Sequence, residues 1–147
     1  MSAQPDFKKT VLVIDDEEMN LKLLLHILTY EGFHVVCARS AEEGLELLRD
    51  LRPHLILMDV RLTGMDGLEA TRKIKADPAL AAIPVVAVSA YAMEDDRRKA
   101  AAAGCRAYLT KPFTRNEILD VARKFTSGAS STNGKSNKSC STSFPMP

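Results

Sequence analysis

Val11-Leu12-Val13-Ile14-Asp15-Asp16-Glu17 is an apolar run of four that ends abruptly in three acids. Branched apolar residues without polar alternation read as a strand buried on both faces, the habit of a parallel sheet. Three further stretches repeat the arrangement. His54-Leu55-Ile56-Leu57-Met58 runs into Asp59, Val85-Val86-Ala87-Val88 into Ser89, and Ala107-Tyr108-Leu109-Thr110 into Lys111, with Pro112 directly after. In an open parallel sheet all strands aim their carboxyl ends at one rim, and ligands bind there. Three carboxylates, a hydroxyl and an ammonium are therefore expected to converge.

The segments between these runs carry helical periodicity, so βα units repeat and the fold class is α/β, a parallel sheet covered on both faces. Leu21, Leu24, Leu25 and Leu28 recur at helical spacing up to about Tyr30, and Gly32 precedes a strand from Phe33 to Cys37. Ser40 and Glu43 have the spacing of a capping box, and Ala41, Leu45 and Leu48 give their helix an apolar face. Pro53 stops that element. Gly64 and Gly67 mark a loop into a third helix through Ile74; Asp77-Pro78 ends it and Pro84 introduces the next strand. An alanine- and charge-rich helix from about Met93 to Ala103 is closed by Gly104. Thr114 and Glu117 form a second capping box, and Ile118, Val121, Ala122 and Phe125 lay the last helix on the sheet. Five strands and five helices thus occupy residues 9–125. Residues 1–8 are an N-terminal extension. Residues 126–147 are rich in Ser, Thr, Asn, Gly and Lys; with only Phe144 and Met146 as bulky apolar groups they cannot form a core and read as a disordered tail.

The 147 residues are 46% hydrophobic and 27% charged with a net charge of +1. That is the composition of one globular domain, with no electrostatic case for nucleic acid or an anionic membrane. No apolar run approaches the ~20 residues of a membrane span. Met1 to Asp6 lack the pattern of a signal peptide. Cys37, Cys105 and Cys140 are odd in number and form no Cys-x-x-Cys pair, so they read as thiols in a reducing cytoplasm. His26, His34 and His54 show no metal-ligand spacing.

Crowded carboxylates repel, and the simplest remedy is a hard divalent cation. Mg²⁺ prefers oxygen donors, binds through one or two carboxylates and keeps several waters, so sites remain for phosphate oxygens. Lys111 can pair with a phosphoryl oxygen and Ser89 can donate to another. Phosphoryl transfer needs mainly positioning and charge neutralisation. A carboxylate can itself be the nucleophile, giving an acyl phosphate. Asp59 is the best placed, being single, central and backed by a strongly apolar strand. Taken singly, each group has an ordinary structural explanation as a cap, a turn residue or a solvated side chain. Their placement at the strand ends of one βα series makes coincidence the poorer explanation.

With these residues in view, the chain resembles the receiver domain of bacterial response regulators of the chemotaxis single-domain type, from about Lys9 to Phe125. The resemblance rests on Val11 to Glu17, Leu55 to Val60, Met65-Asp66-Gly67, Val86 to Ala90 and Tyr108 to Phe113. Among single-domain regulators the likeness is to the cell-division group, through Asn20-Leu21-Lys22-Leu23 and Pro84 to Met93. It implies a flavodoxin-like sheet of order 2-1-3-4-5. It also implies that Asp59 accepts a phosphoryl group from a histidine of a partner kinase or phosphotransfer protein. Asp16, Asp59 and the main-chain carbonyl of Arg61 would hold Mg²⁺, with Mn²⁺ able to substitute and Asp15 acting through water. Lys111 would bind a phosphoryl oxygen and precede a cis bond to Pro112. Ser89 would move towards the phosphoryl group and Tyr108 would swing inward, altering a protein-binding face at about residues 91–125. Glu94, Asp95 and Asp96 give that face an acidic start, which complements the helix dipole.

Two positions depart from the commonest family pattern. Thr63 stands where proline is usual, so the loop is expected to be more mobile. Arg61 is long and cationic two residues past the acceptor, placed to shield the acyl phosphate or pair with a nearby acid. The leading expectation is therefore a binding switch that catalyses only its own phosphorylation and dephosphorylation. A receiver cut from a hybrid histidine kinase would share this chemistry. An aspartate-nucleophile phosphatase would need acids two apart, a spacing that here gives Asp15 and Glu17 without a cap domain.

Overall fold

The computed structural model describes residues 9–91 and 93–126. Strands and helices alternate: β1 Thr10–Ile14, α1 Glu18–Tyr30, β2 His34–Ala38, α2 Ala41–Leu47, β3 Leu55–Asp59, α3 Gly67–Ala76, β4 Val85–Ser89, α4 Glu94–Ala103, β5 Ala107–Thr110 and α5 Arg115–Thr126. All five strands are parallel, in the order β2-β1-β3-β4-β5. The order reverses beside β1, and the crevice opened there lies at the carboxyl ends of β1 and β3. The expected 126–147 tail, with Cys140, falls outside the described residues save for Thr126, as does the extension at 1–8.

Side chains along each strand alternate between two cores. Val11, Val13, Leu55, Leu57, Val86, Val88 and Leu109 meet α1 and α5 through Leu24, Leu28, Ile118 and Ala122. Leu12, Ile14, Ile56, Met58, Val85, Ala87 and Tyr108 meet the other helices through Ala41, Leu48, Ala70, Ile74 and Ala100. Because both faces are covered, β3 and β4 are buried at every position. That removes period-two polarity and produces the continuous apolar runs seen in the sequence.

Local chemistry sets the boundaries. The Thr114–Glu117 capping box closes reciprocally, the Glu117 amide donating to Thr114 Oγ1 at 3.1 Å and the Thr114 amide to Glu117 Oε1 at 2.8 Å. The Ser40–Glu43 box closes only in one direction. Ser40 Oγ accepts from the Glu43 amide at 3.0 Å, whereas the Glu43 carboxylate accepts from the amide of Arg39 at 2.8 Å. Gly104 caps α4 at φ +112°, a backbone region costly for a residue with a Cβ.

Two expectations shift. β2 runs His34–Ala38, not Phe33 to Cys37, because the Phe33 amide is spent on the Leu28 carbonyl, closing α1 at 3.0 Å. Leu25 was expected inward but is 41% exposed. Ile27 is buried instead: α1 packs against β2 and α5, and its buried stripe follows those neighbours.

Candidate functional site

Asp15 follows β1 and Asp59 closes β3, and they are only 2% and 5% exposed. Burial of two carboxylates demands partners. Lys111, directly after β5, supplies one ammonium to both, with Nζ 3.4 Å from Asp15 Oδ2 and 3.4 Å from Asp59 Oδ2. Asp15 Oδ1 accepts from the Glu17 amide at 2.8 Å, and Asn20 Nδ2 bridges Asp15 Oδ2 and Glu17 Oε1 at 3.2 and 3.0 Å. Asp59 Oδ1 accepts from the Arg61 amide at 3.2 Å.

These partners do not balance the charge. Burial and then the neighbouring Asp15 push the Asp59 carboxyl up to about 7, although Lys111 and the Arg61 amide pull the other way. The same two carboxylates raise Lys111 above its ordinary value in spite of its own burial. Asp16 is exposed and adds a third acid. One oxygen from each of Asp15, Asp16 and Asp59 lies within 4.8 Å of the others. Three hard oxygen donors around one point, facing a single ammonium, fit a divalent cation of the Mg²⁺ kind.

The loop after Asp59 is drawn tightly across the site. Val60 donates to the Val88 carbonyl, and Gly67 donates back to the Val60 carbonyl, each at 3.0 Å. A Cβ on Gly67 would lie 2.1 Å from the Asp59 carbonyl oxygen, so only glycine fits. Asp66 caps α3 through bonds of 2.9 Å from the amides of Leu68 and Glu69. This is the physical content of Met65-Asp66-Gly67. Thr63, standing where proline is usual, makes two bonds that proline could not. Its amide and hydroxyl both donate to Asp16 Oδ2, at 3.1 and 3.0 Å.

The other end of the rim is built differently. Ser89 ends β4 and is 1% exposed, and its Oγ accepts from the Tyr91 amide at 3.1 Å. Tyr108 is also 1% exposed, buried among core side chains, with its hydroxyl donating to the Tyr91 carbonyl at 2.6 Å. Arg97 lies over the Tyr108 ring at 5.1 Å, and Arg61 over the Tyr91 ring at 4.2 Å. Arg61 is thus stacked on an aromatic face and, among the described residues, pairs with no acid. Arg97 belongs to α4, whose Asp95 pairs with Arg98 and Lys99 at 3.4 Å. The Lys111–Pro112 peptide is cis.

All the residues picked out by the strand-end pattern therefore stand at one rim. Asn20, Thr63 and Tyr91 complete it and were not assigned roles from the pattern. Only tertiary pairing brings them in.

The family model of the response regulator receiver domain matches residues 11–123. The chain belongs to that family. As a receiver it is 37% identical over 117 residues to the polar-differentiation response regulators DivK of Brucella anthropi and Brucella ovis, covering 80% of this chain and 95% of theirs. Among solved structures it is similar to a chemotaxis-like receiver protein of Methanospirillum hungatei, at 27% identity and a TM-score of 0.77, covering 82% and 95% of the two chains. A sensor histidine kinase receiver domain of Pseudomonas aeruginosa is 29% identical with a TM-score of 0.77, covering 83% of this chain and all of that chain. That structure has a magnesium ion coordinated in its active-site cleft. The receiver is accordingly the signal-receiving module of a two-component response regulator. Among its described residues no helix is long and apolar enough to cross a membrane.

Proposed function

We propose that this receiver is a phosphorylation switch whose acceptor is Asp59. The observation that carries this reading is the buried Asp59 carboxylate, bonded to Lys111 and crowded by two further acids. An Asp59 oxygen attacks the phosphorus of a phosphohistidine on a kinase or phosphotransfer protein. The new O–P bond forms as the P–N bond breaks, the electron pair passing to the imidazole nitrogen, which takes a proton from solvent. Asp16, Asp59 and the main-chain carbonyl of Arg61 would hold a divalent cation, with Asp15 acting through water. Mg²⁺, or Mn²⁺ in its place, would supply charge neutralisation at the phosphoryl oxygens. Lys111 pairs with one phosphoryl oxygen, and Ser89 donates to another.

The reaction consumes the protein's own side chain, so the receiver acts on itself and is not an enzyme for a free substrate. The acyl phosphate carries about −1.5 to −2 charges where the Asp59 carboxylate carried a single one, and this added charge and bulk bias the Ser89–Tyr91–Tyr108 group and with it the face at 91–125, which binds a protein target. The setting is the cytoplasm, where kinase domains and their phosphodonors operate.

Incubation with Mg²⁺ and acetyl phosphate, followed by intact mass, tests the proposal. One phosphoryl group should appear, and should be absent in Asp59→Asn and without divalent cation. Phosphorylation that persists in Asp59→Asn would overturn it.

A further inference from the structure

Thr63 is exposed, yet both of its donors converge on one oxygen of Asp16, 47 positions away in sequence. Asp16 is itself exposed and belongs to the acidic trio. Its charge is repelled by Asp15 and Asp59, so a free Asp16 side chain would lower its energy by turning out into water. The Thr63 pair opposes that. An amide and a hydroxyl on the same carboxylate oxygen are charge-assisted bonds, stronger than neutral ones. Solvent exposure means that they add little to folding, because water would satisfy the same groups if they parted. Their effect is on where the carboxylate points.

Proline at position 63 would offer neither donor. We propose that Thr63 is a positioning residue for the metal centre: it holds Asp16 over the acidic crevice so that its other oxygen meets an incoming divalent cation. The inference rests on the proposed Mg²⁺ centre and adds a specific determinant of its affinity. Groups that orient a metal-binding carboxylate through hydrogen bonds change affinity by about 10- to 100-fold when removed. The arrangement also ties the loop between β3 and α3 to the end of β1. Cation binding and loop order therefore support each other just beyond the point where the β1–β3 ladder ends.

The experiment is a Mg²⁺ titration of the full chain by calorimetry, without phosphodonor. Thr63→Val preserves shape and amide but deletes the hydroxyl, and Thr63→Ser restores it. The expected result is Mg²⁺ affinity about tenfold weaker in Thr63→Val and close to wild type in Thr63→Ser. Melting temperatures without cation should be alike in all three, since a loss of folding is not the cause. Equal Mg²⁺ affinity in wild type and Thr63→Val overturns the inference, as does a loss in Thr63→Ser equal to that in Thr63→Val. A wild-type chain that binds no Mg²⁺, or binds it undiminished in Asp16→Asn, instead removes the metal centre itself and the inference with it.

Discussion

The two ends of the functional rim hold their polar groups by opposite means. Around Asp15, Asp16 and Asp59 the groups are charged, crowded and short of cations, with one Lys111 ammonium serving two buried carboxylates. Around Ser89 and Tyr108 they are neutral and individually satisfied: both buried hydroxyls bond to the backbone of Tyr91, and arginines cover the aromatic rings. The first end stores unfavourable charge that a bound divalent cation can resolve. The second is satisfied as it stands, so it changes only when something nearby competes for its partners.

The largest expected effect comes from breaking the close approach beneath the charged end. Gly67→Ala forces a Cβ against the Asp59 carbonyl, which sits at 2.1 Å in the present backbone. We expect a loss of about 1–3 kcal/mol in chemical denaturation and a displaced Asp59, read as slower phosphorylation by acetyl phosphate. An unchanged denaturation midpoint would mean that the loop yields freely.

A second test uses pH. Asp59 titrates at about 7 in the fold, above its ordinary 3.8, so the folded chain binds more protons than the unfolded chain between those values. Stability without cation therefore falls as pH rises from about 4 to about 7 on account of this group. Asp59→Asn removes the penalty. It should melt higher than wild type at pH 8, by about 3–6 °C, with the gap shrinking as pH falls towards 4. Saturating Mg²⁺ should narrow the gap at pH 8 by stabilising the wild type. A gap that is constant with pH would show that the charged end is not strained by its charge.

The smallest effects belong to the satisfied end. Tyr108→Phe deletes one hydrogen bond and should cost about 1 kcal/mol. Burial raises the Tyr108 phenol above its usual value, so the loss should not vary between pH 5 and 9. Arg61→Ala removes the contact with Tyr91 and should cost about 0.5–1 kcal/mol. If Tyr108→Phe instead showed the pH dependence of Asp59, the two ends would be one electrostatic unit and the contrast between them would fail.

The sequence carried the strand ends clearly because double-sided burial leaves a plain signal. Val11 to Ile14 and Leu55 to Met58 have no polar position, so the first polar residue after each run marks the rim. The Thr114–Glu117 box was legible for a similar reason, its bonds spanning three positions. Contacts between distant segments left no such trace. Arg61 has long-range charge and several plausible acids, and nothing in its neighbours announces that it will lie over Tyr91. Thr63 read as the loss of a rigid proline, since its gain of two bonds to Asp16 depends on a loop and a strand end meeting.

The residue order by itself determined which chemical groups end each buried strand, and hence that carboxylates, a hydroxyl and an ammonium share one rim. That information is local: burial on both faces leaves no choice but apolar residues until the chain reaches solvent. Only the tertiary structure decided how those groups pair. The Asp15–Lys111–Asp59 bridge, the Asp16–Thr63 bonds and the Tyr91 hub each join separate βα units. Their energies depend on distances of a few ångströms that no sequence spacing sets.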